Sequence, residues 1–510
     1  MKRIVILSVL IVILLMINTF AISSKSYNIV NPYEAITYEI MVNNLQELEK
    51  QYPELIEVET IGKSVDKRDI LLAKLGKGDT LIHINGSFHA RERITTNMIL
   101  KNIEDLSIAY EKESKIDGYN VKELLNQVTI YFVPMVNPDG VDYTIDGVDS
   151  IRNPEVAENL KEIKEHPASE WFVPNLRWKS NIRGVDLNRQ WDFGWNEPSK
   201  FDIDGPADAH FKGFSPHSEP EVKALEKLSI ENPFMNFTAY HTQGLEIYWY
   251  KYQEGEDLEE VKDLTSKIAN LTFFRPVPVI NHIPEGFRSY SGYADWTAVE
   301  LKKPSFTMEF AYRAYTEEDF DRIYLPARAL PLLLAQEAIE VKAEYSLEVM
   351  VDGKTYQYFK RQEDAMAFIN KHLSKDRDIT ILNGENIVFQ EKGRPFLEEA
   401  TIKVHHKKNG DMVEYNGSPT ILRYKGDQYL MATDILKAFN YDTNYYDEIK
   451  VIVGQRDADL LLLSLHEGLA YFNHQLIGNE ASVMEFQEKG YISVELVEEI
   501  FHVTVDIDNK

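Results

Sequence analysis

A short stretch around His89 constrains the fold of this chain more than any other feature. The apolar run Leu81-Ile82-His83-Ile84-Asn85 leads into Gly86-Ser87-Phe88-His89-Ala90-Arg91-Glu92-Arg93, and apolar residues then recur at helical spacing at Ile94, Met98, Ile99, Ile103 and Leu106. The stretch therefore predicts a buried strand, a tight corner and a long helix. At such a corner His89 and Glu92 can face one cation, and zinc accepts a nitrogen and a carboxylate together with one more protein ligand.

Predicted strands and helices alternate from about residue 33 to residue 345. Strands are predicted near residues 56–61, 70–75, 80–85, 128–136, 237–241, 246–250 and 305–310, and helices near 38–52, 93–110, 219–228, 257–271 and 325–345. This alternation predicts an α/β fold in which helices cover both faces of a sheet.

Two more positions in apolar segments fit the metal-site hypothesis. His241 ends the stretch Phe237-Thr238-Ala239-Tyr240-His241 and opens onto a polar turn, so it is the natural third ligand. Glu309 lies within Phe306-Thr307-Met308-Glu309-Phe310, and buried carboxylates are rare unless they are paired or functional. A carboxylate near the metal can take a proton from the attacking water and pass it to a leaving amine.

The sequence Gly184-Val185-Asp186-Leu187-Asn188-Arg189 adds three polar side chains. Asn188 and Arg189 offer an amide and a guanidinium suited to a carboxylate. Asp186 could orient a metal-binding imidazole from behind. The alternative interpretation is an ordinary turn with a surface arginine.

Composition excludes several classes of function. The chain has 55 basic and 82 acidic residues, a formal charge of −27, whereas a nucleic-acid partner requires a basic face. It has no cysteine, which excludes disulfides, thiolate nucleophiles and Cys-type zinc sites.

The N-terminus has the pattern of an export signal. Met1-Lys2-Arg3 precedes an aliphatic run from Ile4 to Ile17, and small residues follow up to Ser24. Residues 1–24 are therefore predicted to be a signal peptide of a secreted or extracellular protein. Counted from Ile4 to Ile22, the apolar stretch is also long enough to span a bilayer, so an uncleaved membrane anchor is the alternative.

The pattern changes near residue 346. Residues 346–404 contain a predicted strand–helix unit and are interpreted as a small α+β linker module. Residues 411–510 contain an internal repeat, because Tyr429-Leu430 to Phe439-Asn440-Tyr441 aligns without gaps with Tyr491-Ile492 to Phe501-His502-Val503. Each copy predicts a strand, a helix and a second strand. The repeat resembles modules likened to the N-terminal domain of copper amine oxidases, which implies a spacer or an interaction module.

Six motifs in order resemble the zinc carboxypeptidases of the carboxypeptidase A type over about residues 33–345. They are His89-x-x-Glu92, Asn137-Pro138-Asp139-Gly140, Gly-Val-Asp-Leu-Asn-Arg at 184–189, Ser218-Glu219-Pro220-Glu221, His241-Thr242-Gln243-Gly244 and Phe306-Thr307-Met308-Glu309. Two further segments, Trp178-Lys179-Ser180-Asn181-Ile182-Arg183 and Gly292-Tyr293-Ala294-Asp295-Trp296, are more similar to a bacterial branch. That branch contains γ-D-glutamyl-L-diamino acid endopeptidases, which cut peptidoglycan stem peptides.

The resemblance implies a catalytic domain over residues 33–345 with a defined fold and site. The fold would be an α/β/α sandwich around a mixed, mostly parallel eight-stranded sheet. One zinc ion would be held by His89, Glu92 and His241. Glu309 would be the general base and acid, and Asn188 with Arg189 would bind the terminal carboxylate of the substrate.

Two functional positions stay open within the resemblance. The cation that stabilises the oxyanion corresponds by spacing to Lys179, with Arg177 and Arg183 close by. Ungapped counting places a phenylalanine at the position of the family's mobile tyrosine, and Tyr290 and Tyr293 lie nearby as candidates for contact with the substrate.

The sequence thus predicts an exported zinc metallopeptidase that hydrolyses peptide bonds in peptidoglycan stem peptides. Its C-terminal modules are expected to associate with the cell wall. One alternative is a general secreted metallocarboxypeptidase that acts on ordinary peptides. Another is a non-catalytic wall-binding protein built on a peptidase scaffold.

Overall fold

The structure is a computed structural model that describes residues 29–163, 178–249, 252–279, 291–312, 315–394 and, with short gaps, most of 396–509. The predicted signal peptide or anchor lies outside the described residues. None of the helices in the described part of the chain is long and apolar enough to cross a membrane. Contacts divide the chain into two units, Met1–Tyr345 and Ser346–Lys510.

The described residues of the first unit form an eight-stranded sheet. Its strands are β1 (Ile56–Lys63), β2 (Asp69–Gly76), β3 (Thr80–Gly86), β4 (Val128–Val133), β5 (Phe234–Thr242), β6 (Glu246–Trp249), β7 (Arg275–Pro278) and β8 (Ser305–Phe310). They lie in the order β1-β2-β4-β3-β5-β8-β6-β7. The four central strands β4, β3, β5 and β8 run parallel, whereas β1, β2 and β6 pair with antiparallel neighbours. The predicted mixed, mostly parallel sheet is confirmed.

Helices cover this sheet on both faces. They are α1 (Tyr38–Gln51), α2 (Ile94–Glu111), α3 (Val121–Leu125), α4 (Pro138–Asp146), α5 (Pro154–Leu160), α6 (Pro220–Ile230), α7 (Gly255–Thr272), α8 (Tyr293–Glu300), α9 (Phe320–Tyr324) and α10 (Leu330–Val341). Every residue of β5 from Phe234 to His241 is buried, as expected for a strand covered on both faces. The predicted helix 325–345 is shorter than expected, because a 3-10 turn at Leu325–Ala327 precedes α10, whose first turn contains proline.

The second unit contains three sheets among its described residues. A four-stranded sheet is formed by Leu347–Val351, Lys354–Phe359, Ile379–Asn383 and Asn386–Glu391, with the helix Gln362–His372. A second sheet contains Phe396–His406, Met412–Val413, Thr420–Tyr424, Asp427–Met431, Val483–Phe486, Lys489–Ser493 and Val503–Asn509. The third is a meander of Asp442–Tyr446, Val451–Arg456, Asp459–Ser464, Leu469–Phe472 and Gln475–Ile477, most of which the sequence analysis did not predict.

Both copies of the internal repeat form a strand, a helix and a strand. The helices are Ala432–Ala438 and Val494–Phe501. Leu430 pairs with its equivalent Ile492, and the equivalent rings of Phe439 and Phe501 stack with centroids 4.0 Å apart. The copies are therefore related by a local pseudo-twofold arrangement. Strand Phe396–His406, which the sequence-based division cuts at residue 404, pairs with Val503–Asn509 and so belongs to the sheet of the repeat.

A buried ion cluster joins the β1–β2 turn to α4. Nη1 of Arg68 lies 2.9 Å from Asp66 Oδ2 and 2.9 Å from Asp139 Oδ1, and its Nη2 lies 3.1 Å from Asp142 Oδ2. Asp139 belongs to the Asn-Pro-Asp-Gly motif at the start of α4. The same helix packs against the turn Ala90–Glu92, where Thr144 Oγ1 lies 3.4 Å from the Ala90 carbonyl while it donates to Val141 of its own helix at 2.8 Å. The cluster therefore supports the corner that carries His89 and Glu92.

Replacing Arg68 by methionine should lower the free energy of unfolding by about 3–5 kcal/mol, because it leaves buried carboxylates without their partner. Urea denaturation measures the loss. Lys50→Gln, which removes an exposed ion pair with Glu47, is the control and should cost at most about 1 kcal/mol. A loss below about 1 kcal/mol for Arg68→Met would show that the cluster does not support this region.

Candidate active site

The metal-site corner lies between β3 and α2. A single 3-10 turn, Ala90–Glu92, separates the strand from the helix. Ser87 has a positive φ of 50°, and its amide donates to Thr95 Oγ1 of α2 at 2.8 Å. Asn137 Nδ2 donates to the carbonyl of Phe88 at 3.2 Å. These bonds fix the backbone so that His89 and Glu92 project from the same end of the sheet.

Strand register brings His241 and Glu309 to the same place. β5 lies beside β3 with Gly86 opposite Tyr240, and β8 lies beside β5 with Glu309 opposite His241. All three strands are parallel, so their carboxyl ends meet at one edge of the sheet, where open α/β sheets place their sites.

The three predicted ligands converge. The Nδ1 atoms of His89 and His241 are 3.1 Å apart. Glu92 Oε1 lies 2.9 Å from His89 Nδ1, and Glu92 Oε2 lies 2.9 Å from His241 Nδ1. Among the described residues these side chains form a group whose donor atoms all lie within 4.8 Å of one another, and all three residues are buried. Two imidazole nitrogens and a carboxylate facing one point are a donor set suited to zinc.

Asp186 holds His89 from the other side of the ring. His89 Nε2 lies 3.1 Å from Asp186 Oδ1, which also accepts from the amide of Asn188 at 3.1 Å. A hydrogen bond from Nε2 to a carboxylate places the proton there and leaves Nδ1 to bind a metal. Burial alone would raise the pKa of Asp186, but His89, Arg189 and Lys179 hold it well below its usual value.

The charge states of the other groups suit metal binding and proton transfer. Burial lowers the pKa of His241 to about 4, so its ring is neutral at pH 7. Burial would raise the pKa of Glu92, but the two histidines hold it well below its usual value. Burial and the Glu92 carboxylate raise the pKa of Glu309 to about 8, and Lys179 opposes that rise. A cation bound by the three ligands would favour the ionised form of Glu309.

The structure separates the candidate oxyanion cations. The amides of Ala90 and Arg91 donate to the carbonyls of Lys179 and Trp178, both at 3.0 Å, so this segment lies against the metal-site corner. Burial lowers the pKa of Lys179, as does the nearby Arg91 guanidinium, whereas Glu92 and Asp186 oppose the change. Arg183 is exposed, and its Nη1 lies 3.6 Å from Glu219 Oε2. The described geometry therefore favours Lys179 over Arg183, and Arg177 lies outside the described residues.

Asn188 and Arg189 lie beside the ligands. Asn188 Nδ2 is 3.5 Å from His241 Nε2, and its Oδ1 accepts from the amide of Tyr293 at 2.9 Å. Arg189 Nη1 donates to the carbonyl of Asn188 at 2.9 Å. The positive charge of Arg189 acts to lower the pKa of both Asp186 and Lys179. The side chain of Asn188 is thus held by its neighbours, and Arg189 is the stronger candidate for a substrate carboxylate.

The predicted substrate role of Tyr293 does not fit its position. Its side chain is fully buried, its ring packs 4.8 Å from that of Trp191, and its hydroxyl lies 2.9 Å from Ser229 Oγ. As the first residue of α8 it turns into the core, which leaves its hydroxyl no access to a substrate. The other candidate, Tyr290, lies outside the described residues.

Two residues at the site were not predicted from the sequence. Arg91 lies between two ligands in the chain, and the charges of Glu92 and Glu309 both act on its guanidinium. Tyr315 follows Glu309 by six residues, and its hydroxyl reaches Thr242 and the backbone of Arg91. Arg91 could have been found from the motif itself, because it lies within His-x-x-Glu. No sequence pattern marks Tyr315.

Comparison with known proteins decides the family. The family model described as zinc carboxypeptidase matches residues 41–330. The chain belongs to the zinc carboxypeptidase family. It is 33% identical over 316 residues to gamma-D-glutamyl-L-diamino acid endopeptidase 1 of Lysinibacillus sphaericus, covering 61% of this chain and 74% of that protein. It is 34% identical over 276 residues to the uncharacterized protein YqgT of Bacillus subtilis (strain 168), covering 51% and 68%.

Among solved structures, the chain aligns with thrombin activatable fibrinolysis inhibitor with a TM-score of 0.49. The alignment has 20% sequence identity and covers 61% of this chain and 75% of that one. Family membership makes this chain a hydrolase that uses one zinc ion. The group of His89, Glu92 and His241 fits that ion in residue type, burial and convergence.

His89→Ala or His241→Ala should abolish stoichiometric zinc binding, because two protein ligands do not hold zinc tightly. The zinc content of each variant after dialysis against a weak chelator measures this loss of binding. His217→Gln is the control, since His217 pairs with Glu226 at 2.7 Å and belongs to no ligand group among the described residues. One equivalent of zinc retained by either alanine variant would contradict the assignment.

Proposed function

We propose that this protein is an exported zinc peptidase that hydrolyses the γ-D-glutamyl–diamino acid bond of peptidoglycan stem peptides. The observation that carries the peptidase activity is the buried group of His89, Glu92 and His241 with Glu309 in register beside His241. The substrate class is supported by the relative that is 33% identical and is named for this bond. Export is supported by the basic and then aliphatic N-terminal sequence.

The charges of the site also favour a substrate with carboxylates. The chain as a whole is acidic, with a formal charge of −27. Three cations nevertheless lie at the site, because Lys179 interacts electrostatically with both Arg91 and Arg189, and each of the three interacts with the Asp186 carboxylate. A γ-linked D-glutamate keeps a free α-carboxylate, and the diamino acid supplies another. With zinc bound by the three ligands, the positive charges of the site would outnumber those of Glu92, Asp186 and Glu309, and such a cleft would attract this substrate.

His89, Glu92 and His241 would hold zinc, which would supply the Lewis acidity that polarises a scissile carbonyl and lowers the pKa of water. The Glu309 carboxylate takes one proton from the water as the water oxygen attacks the carbonyl carbon. The Lys179 ammonium faces the negative charge that develops on the carbonyl oxygen. Glu309 then gives this proton to the leaving nitrogen as the C–N bond breaks. The second proton of the water passes from the new carboxylic acid to the amine, so the products at neutral pH are a carboxylate and an ammonium group. Asp186 keeps the His89 ring in place throughout.

Mass spectrometry of purified peptidoglycan fragments after digestion tests the substrate. The expected products are fragments split between γ-D-glutamate and the diamino acid. A matched peptide with an α-linked L-glutamate at the same position is the control, and it should be cut more slowly. Cleavage of the α-linked peptide alone would contradict the proposal and would favour a general metallocarboxypeptidase.

Glu309→Gln should keep zinc and lower kcat by roughly 10² to 10⁴-fold, since it removes the proton acceptor and preserves the shape. Zinc content and steady-state kinetics measure both effects. Glu246→Gln is the matched control, because Glu246 lies opposite Glu309 on β6 and pairs with Arg275. Activity of Glu309→Gln within about tenfold of the wild type would mean that the base lies elsewhere.

Amidating the C-terminal carboxylate of a good substrate should lower kcat/KM by roughly 10² or more, because Arg189 would lose its charged partner. Arg189→Ala should remove most of this discrimination, and the exposed Arg183→Ala should retain it. Equal hydrolysis of the free and amidated substrates by the wild type would indicate that the chain continues past the site, as in an endopeptidase.

We propose that residues 346–510 attach the enzyme to the cell wall. The unit carries none of the proposed zinc, base or carboxylate-binding residues. Deletion after Tyr345 should leave hydrolysis of a soluble peptide within about twofold of the full chain and should reduce sedimentation with purified walls. A truncated protein that binds zinc but is inactive would show that this unit shapes the site.

A further inference from the structure

A short segment after the strand of Glu309 contacts the metal-site corner. Tyr315 is followed by Thr316 and by the 3-10 turn Glu317–Asp319. Thr316 and Asp319 form a capping box at the N-terminus of this turn. Arg93, next to the ligand Glu92, donates from Nε to Glu317 Oε1 at 2.7 Å. Both side chains of this ion pair are largely shielded from water. The segment is thus tied to the corner by a pair with a defined geometry.

The Tyr315 hydroxyl lies between the two ligand-bearing segments. It donates to the carbonyl of Arg91 at 3.4 Å, and Arg91 lies between His89 and Glu92. On its other side it lies 3.3 Å from Thr242 Oγ1, and Thr242 directly follows the ligand His241. A phenol has one proton to donate and can also accept, so it can make both contacts at once when the threonine donates.

Thr242 continues this connection to the metal group. Its backbone amide donates to Glu92 Oε2 at 3.2 Å, and the same oxygen lies 2.9 Å from His241 Nδ1. The path therefore runs from Tyr315 through Thr242 to the carboxylate that both histidines share. Hydrogen bonds behind a ligand set its orientation and the affinity of the metal.

We propose that Tyr315 is a positioning residue of the zinc site, which holds the His89–Glu92 corner and the end of β5 at the separation that zinc requires. Tyr315→Phe removes only the hydroxyl and should let the two segments relax. This inference rests on the zinc centre and not on the peptidoglycan substrate, so an error in the substrate leaves it intact.

Zinc affinity, measured by competition with a chelator, tests the proposal. Tyr315→Phe should raise the Kd for zinc by about tenfold or more. The visible absorption of the Co²⁺-substituted protein should change as well, because it reports the geometry of the ligands. Thr242→Val should raise the Kd for zinc by a similar factor. The double variant should have a Kd no higher than that of the weaker-binding single variant, because both hydroxyls act through one hydrogen-bonded path.

Tyr324→Phe is the matched control. The Tyr324 hydroxyl donates to Asp105 Oδ2 at 2.9 Å and is also buried, so its loss should lower the melting temperature and leave the zinc Kd and the Co²⁺ spectrum unchanged. If Tyr315→Phe does not fold, the zinc Kd and the Co²⁺ spectrum of Thr242→Val test the proposal in its place. A zinc Kd within twofold of the wild type for the variant that folds, or an equal change in Tyr324→Phe, would overturn the proposal.

Discussion

The Glu92 carboxylate is the group on which the site depends. It is fully buried, and an isolated buried carboxylate would cost several kcal/mol. Its oxygens lie 2.9 Å from Nδ1 of His89 and of His241, around the point where a metal ion would bind all three, and Oε2 also accepts from the amide of Thr242. Because the three partners come from two segments, the carboxylate joins the β3–α2 corner to the end of β5. His89, Glu92 and His241 would hold zinc here, and because the ion would bind the folded site preferentially, folding of the site and metal binding support one another.

The topology of the sheet explains how residues so distant in sequence meet. His89 and His241 are 152 residues apart, yet β3 and β5 are parallel neighbours that end at the same edge. β8 is the next strand and brings Glu309 into register with His241. The connection between β4 and β5 adds the cations Lys179 and Arg189, which offset the buried acids, and Asp186, which holds His89. A rigid sheet thus fixes the ligands and the base, and the loops supply the groups that face the substrate.

The fold and the ligands could be predicted because each has a local signal. Apolar strands identified the sheet, and a polar residue at the end of such a strand identified His241. Spacing placed Lys179 at the oxyanion position but left Arg183 open, since the choice between them depends on bonds between the carbonyls of residues 178–179 and the corner. Tyr293 was misjudged because its sequence neighbours do not show that its ring turns into the core. Tyr315 was missed because only tertiary structure brings it to Arg91 and Thr242.

Anomalous diffraction at the zinc absorption edge, on crystals of the zinc-loaded protein, tests the assignment of His89, Glu92 and His241 as zinc ligands. We expect a single strong peak among His89 Nδ1, His241 Nδ1 and the Glu92 carboxylate, at about 2.0–2.2 Å from each ligand atom. We also expect the Asp186 carboxylate to contact Nε2 of His89 and not the metal. A peak elsewhere in the chain, or zinc bound by Asp186 in place of His89, would contradict this assignment.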